Sequence, residues 1–281
     1  MDPKFVDAGG LRFAYLEEGT GPLVLLFHGF PDTAHTWDAT MTALAKAGYR
    51  AVAPFTRGYH PTAIPADGAY DTDALANDVI ALIDALGGGE PAIVVGHDWG
   101  AFAAYSAAVL APNKVKLLIT VAIPHPAAIR PTPRLAWIFR HMVTLRRSKA
   151  AAKLRDRDCA LVDELWRRWS PAWKEIPPAE TVAFKAILAE PGVAEATLGY
   201  YRALTLRIPA SLRRPITVPA VAFAGVDDHI APRAYEKARK RFTASYEVVQ
   251  VPGGHFMHRE HPTEFITELV RVLDDHAART R

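Results

Sequence analysis

The apolar run at residues 91–95 ends in Gly96-His97-Asp98-Trp99-Gly100 and passes at once into a helical pattern over 100–110. With no loop between them, strand and helix must be joined by a very tight turn. Small residues are needed on both flanks where the two backbones cross, and glycine stands at each. The side chain at the apex of such a turn is held out beyond the strand end. Here it is a carboxylate, which has an unperturbed pKa near 3.9 and attacks without help from a base. A carboxylate suits attack on an sp3 carbon, whereas serine in that place suits an acyl carbonyl.

The rest of the chain supplies the frame. Strands are expected at 11–16, 23–27, 50–54, 91–95 and 115–123, with helices at 37–47, 73–86 and 100–110. The strands are apolar on both faces and alternate with helices, which argues for a mostly parallel central sheet flanked by helices, an α/β fold. After residue 123 the alternation stops, and 124–214 carries only helical pattern. It resumes with a strand at 218–224, a helix at 232–241, a strand at 246–251 and a helix at 262–274. The organisation expected is a core from 1–123 and 215–281, with a helical cap at 124–214 inserted over the strand ends, where ligands of such sheets bind.

At 281 residues, 50% hydrophobic and 22% charged, the chain can bury a sizeable core. The single cysteine, Cys159, excludes a disulfide framework. The net charge is +3, and the cations crowded between Arg130 and Arg157 read as a solvated helical face. No aromatic-interleaved basic pattern points to nucleic acid. No uninterrupted apolar stretch approaches a membrane span and the first residues lack a signal pattern, so the expected location is cytoplasmic.

Three chemical groups follow in chain order at strand ends: Asp98, the pair Asp227-Asp228, and His255 in Gly253-Gly254-His255-Phe256. Nucleophile, acid and histidine in that order form a triad. A fourth motif, His28-Gly29-Phe30-Pro31, suits an oxyanion hole in which the backbone N–H of Phe30 is joined by that of Trp99.

On these motifs and Arg57-Gly58-Tyr59, the chain resembles the epoxide hydrolase branch of the α/β-hydrolases, with haloalkane dehalogenases as relatives. The resemblance implies that Asp98 forms an ester with substrate and that His255 activates the water that hydrolyses it. It implies a cis bond before Pro31, and Asp228 as the triad acid, with Asp227 the runner-up. It also implies a proton donor in the cap. Tyr200 and Tyr201 are neighbours, about 100° apart on a helix, so only one can reach a given oxygen, and the family's Tyr-Arg pattern selects Tyr201. A second family tyrosine belongs near Trp137-Ile138-Phe139, where none stands; His141 or His125 could replace it.

Phe30, Trp99, His28 and Trp137 are expected to bind substrate or oxyanion in an apolar pocket. The expected partner is a small hydrophobic substrate, with no nucleic acid, membrane, metal or cofactor, and a homodimer stays open. His258 and His261 have ligand-like spacing but lack a third ligand. Two other readings stand beside epoxide opening. One is a dehalogenase using the Trp99 indole and one of the tryptophans Trp137, Trp166, Trp169 or Trp173. The other is a small-molecule binder without turnover.

Overall fold

The computed structural model describes residues 1–129, 132–205 and 208–280. Four strands come first: β1 (Lys4–Ala8), β2 (Leu11–Glu18), β3 (Leu23–Phe27) and β4 (Arg50–Pro54). They are followed by β5 (Ala92–His97), β6 (Val115–Val121), β7 (Ala220–Gly225) and β8 (Tyr246–Val251). All lie in one sheet, in the order β1-β2-β4-β3-β5-β6-β7-β8. β1 pairs with β2, and β2 with β4, antiparallel; every later pairing is parallel.

The first helices are α1 (Asp38–Lys46), α2 (Thr72–Leu86) and α3 (Trp99–Leu110). Among the described residues, seven short helices lie between β6 and β7: α4 (Pro133–Ile138), α5 (Arg140–Leu145), α6 (Ala150–Arg155), α7 (Ala160–Trp169), α8 (Ala179–Ile187), α9 (Val193–Thr197) and α10 (Gly199–Ala203). The last are α11 (Arg233–Ala238), α12 (Met257–Glu260) and α13 (Pro262–Thr280).

β3, β5 and β7 are buried at every residue, as interior parallel strands must be when helices cover both faces. Each buried Leu or Val there contributes roughly 1.5–3 kcal/mol relative to exposure. α2 starts where the Asp71 side chain accepts from the N–H groups of Asp73 and Ala74, satisfying donors the helix itself cannot.

β1 has no counterpart in the sequence reading. Of its residues only Ala8 is buried, so it carries no apolar run; it is a hairpin edge turned at Gly9-Gly10, both with positive φ. The strand expected to reach residue 123 ends at Val121, because Ala122 takes φ 65° and leaves the extended region.

The order of β4, β3 and β5 positions the site. The chain leaves β3 towards one side of the sheet and β5 towards the other. The loops after these neighbouring strands therefore meet at the switch point. Phe27 pairs with Gly96, so the His28 loop lies beside Asp98. β7 and β8 end on the same edge, with Gly225 opposite Val251.

Candidate active site

Asp98 sits at φ 51° and ψ −115°, a conformation that strains a residue with a side chain. The neighbouring glycines show what holds it. A Cβ on Gly96 would lie 2.2 Å from the Gly100 carbonyl oxygen, and one on Gly100 would lie 2.3 Å from that of Phe27. Gly29 lies as close to the nucleophile itself, since its Cβ would stand 2.4 Å from Asp98 Oδ1. The Phe30 N–H donates to that same Oδ1 at 2.9 Å. Asp98 is the residue before α3, whose N-terminus favours an anion, although its carboxylate makes no capping hydrogen bond to the helix.

The other oxygen, Oδ2, faces His255 Nε2 at 3.4 Å, and His255 Nδ1 faces Asp228 Oδ2 at 3.6 Å. Asp228 is held by the Ile230 N–H, which donates to its Oδ1 at 3.2 Å. Asp227 is exposed and accepts instead from the Gly253 N–H. Of the two carboxylates that end β7, Asp228 is the one that reaches the histidine.

Electrostatics follow from this geometry. Burial alone would raise the Asp98 carboxyl, but hydrogen bonding and charge from His255 hold it below the usual range. Burial pulls the His255 ring down, yet Asp228 and Asp98 outweigh it and raise its pKa to about 9. Nucleophile and histidine thus rest as an ion pair.

The loop of His255 is tied at both ends of its peptide units. Its N–H donates to the Trp169 carbonyl, and its carbonyl accepts from His97 Nε2 at 3.0 Å. His28 is fully buried. Its Nδ1 donates to the Gly29 carbonyl and its Nε2 accepts from the Thr56 N–H. Burial lowers its pKa to about 4. The expectation that His28 touches substrate is therefore corrected: both ring nitrogens serve the backbone, and the residue shapes the loop that carries Phe30.

A cavity of about 130 Å³ opens beside Asp98, lined mainly by apolar side chains. Tyr201 lines it; its ring lies edge-to-face on Trp99 and Phe30, with centroids 5.2 Å away in each case. Burial first, then the charge of Asp98, push the phenol pKa well above its ordinary value, so the O–H keeps its proton. Tyr200 points elsewhere and donates to the Arg57 carbonyl at 2.8 Å. Arg57 is fixed in turn by a two-pronged ion pair with Asp78, both contacts 2.6 Å.

Trp137 is the second correction. It does not line the cavity; it is 67% exposed, with the Arg140 guanidinium 4.1 Å from its ring centroid. Its neighbours Ile138 and Phe139 are the ones that face inward, because adjacent helical residues point about 100° apart. Among the insertion tryptophans, Trp166 is spent on the scaffold, donating to the Pro31 carbonyl and stacking on Phe256 at 3.7 Å. Trp169 lines the cavity.

Sequence reasoning missed Met142, Ile123 and His229 as lining residues. Only His229, directly after Asp228, carried a positional hint. His125 is buried away from the cavity against Tyr105 and Phe242. The bond before Pro31 is cis, as is that before Pro61. Among the described residues no three His, Cys, Asp or Glu gather to hold a metal ion, and no helix is long and apolar enough to cross a membrane.

The family signature described as alpha/beta hydrolase fold matches residues 22–262. The chain belongs to the α/β hydrolase fold family. It is similar to an epoxide hydrolase of Caballeronia sordidicola, 43% identical over 120 residues that cover 42% of this chain and 36% of that protein. That match spans little more than a third of the relative's length. A full-length likeness, 29% identical over 92% of this chain and 93% of the relative, is to AB hydrolase superfamily protein YfhM of Bacillus subtilis (strain 168). Among solved structures, a proposed epoxide hydrolase from Klebsiella pneumoniae subsp. pneumoniae aligns with TM-score 0.81 and 27% identity over 96% of both chains. Relative to most α/β hydrolases, this member carries aspartate at the elbow.

Proposed function

We propose that this α/β hydrolase opens a hydrophobic epoxide to a vicinal diol through an ester on Asp98. The observation that carries the reading is an elbow carboxylate, kept ionised, that shares an apolar cavity with a protonated phenol. Asp98 forms a bond to an oxirane carbon, the carbon–oxygen bond breaks, and Tyr201 gives its proton to the departing oxygen. Esterification removes the Asp98 charge, one of the two anions that raise His255. The ring then gives up its proton to the Tyr201 phenolate and can act as a base.

Neutral His255 next takes a proton from water, which attacks the ester carbonyl. The oxyanion forms at Oδ1, where the Phe30 N–H already stands, with the N–H of Trp99 proposed as its second donor. Collapse releases the diol and restores Asp98. Asp228 holds the imidazole orientation. Side chains of the chain itself supply nucleophile, acid and base, so the reading is cofactor-independent. Residues 124–214 act as the cap that carries the acid, and the partner is a small hydrophobic substrate.

Trp99 and Trp169 both line the cavity, and this favours halide displacement as a second reading, since a departing halide needs N–H donors. A paired assay separates the two: diol from aryl epoxides beside halide from haloalkanes, with Asp98→Asn as control. Diol formation, lost in the variant by at least about 10³-fold, is expected. Halide release alone would replace the proposal.

A further inference from the structure

The cavity beside Asp98 has a neighbour. Ile129, Ile138, Asp228, His229 and Ile230 line it and also line a second cavity of about 220 Å³. The two chambers therefore adjoin at these five residues. The remaining walls of the second include the exposed residues Thr132, Ala231, Arg233 and Lys237, so it is the chamber nearer to solvent.

The chambers differ in chemistry. The inner one sets aromatic side chains round the nucleophile: Trp99, Phe102, Phe139, Trp169 and Tyr201. The outer one has no Phe, Tyr or Trp among its described lining residues and carries two cations instead, Arg233 and Lys237. Both belong to α11 and stand four residues apart, on one face of that helix. Neither has a hydrogen bond or ion pair among the described residues. The one acid in the same lining, Asp228, faces His255 Nδ1, and its side chain is only 3% exposed. Asp227 and Glu236 are next in the chain to lining residues, but both are exposed and line neither chamber. With Asp228 committed to the histidine, the outer chamber presents uncompensated positive charge beside an aromatic cavity. A guanidinium and an ammonium one helical turn apart suit a carboxylate.

We infer that the outer chamber is an anion subsite, where Arg233 and Lys237 receive a carboxylate carried by an aromatic epoxide at the end remote from its oxirane. The ring occupies the aromatic inner chamber and the charge the outer one. This inference rests on the epoxide reading and narrows it to epoxides with an anionic end. Both cations are exposed, so the effect is modest and screened by salt.

The test gives the native enzyme phenyl glycidyl ether, its para-carboxylate and its para-carboxamide, the last matching the carboxylate in shape without the charge. At neutral pH and low salt, kcat/KM for the carboxylate is expected to exceed that for the carboxamide about fivefold. The ratio should fall towards one in about 0.5 M salt. In the double variant Arg233→Glu/Lys237→Glu the ratio should invert, and because a ratio is read, any general loss of activity cancels. A ratio of one in the native enzyme overturns the inference, and that comparison needs no variant to fold. A native-like ratio in the double variant overturns it too, as does diol from phenyl glycidyl ether with neither para-substituted substrate turned over. No diol from any of the three removes the epoxide reading, and this inference falls with it.

Discussion

The sheet edge and the helical insertion form opposite walls of one cavity, and they hold their residues in different ways. On the sheet side, backbone contacts fix Asp98: a strained apex, flanking glycines with no room for a Cβ, and the Phe30 N–H on Oδ1. On the other side, Tyr201 and His141 come from helices of five and six residues, too short to persist alone. Their placement depends on docking. Trp166 binds the Pro31 carbonyl, Tyr200 the Arg57 carbonyl, and Arg259 pairs with Glu180 of α8 at 2.6 Å. Chemistry demands sub-ångström control at the nucleophile, whereas the substrate-facing wall can vary while its anchors remain.

This contrast can be broken in either wall. Tyr201→Phe keeps the packing of the insertion and removes only the O–H. Single-turnover ring opening should slow by roughly 10²–10⁴-fold, and an unchanged rate would reduce the insertion to a packing element. Gly29→Ala strikes the other wall, since the new Cβ would clash with Asp98 Cβ and Oδ1 at 2.4 Å. A loss in kcat on the order of 100-fold with unchanged circular dichroism is expected; near-native kcat would show that the sheet edge relaxes as easily as the insertion.

The smallest effect concerns stability. His255 has its folded pKa raised to about 9, above the ordinary histidine value near 6.5. Its ion pairs with Asp228 and Asp98 therefore stabilise fully below about 6.5 and are lost as pH rises through about 9. Denaturant midpoints should fall across this window in the native protein and flatten in His255→Gln. Equal slopes would mean that the pair contributes nothing to folding.

How much could be read in advance divides along the same line. β3, β5 and β7 showed as apolar runs because both faces are buried, and the elbow showed because glycine alone fits its flanks. Asp228 could be separated from Asp227 only by resemblance; the structure adds the reason, that Asp227 is engaged by Gly253. β1 was silent because an edge strand with one buried residue has no apolar signal. In the insertion, short helices give too few residues to fix a face, so the sequence points Trp137 inward whereas Ile138 takes that place. His28 reads as an oxyanion or substrate-binding residue from its motif, yet its ring nitrogens are both taken by backbone. Tyr201, singled out by helical geometry together with the family pattern, lines the cavity.

The central claim is that substrate becomes bonded to Asp98 before water attacks. His255→Gln keeps the nucleophile and removes the base of the second step, so incubation with an aryl epoxide followed by intact-protein mass spectrometry tests it directly. The account predicts one added substrate mass per chain, mapped to the peptide containing Asp98 and absent from the His255→Gln/Asp98→Asn double variant. Ring opening to diol with the protein mass unchanged throughout would contradict it.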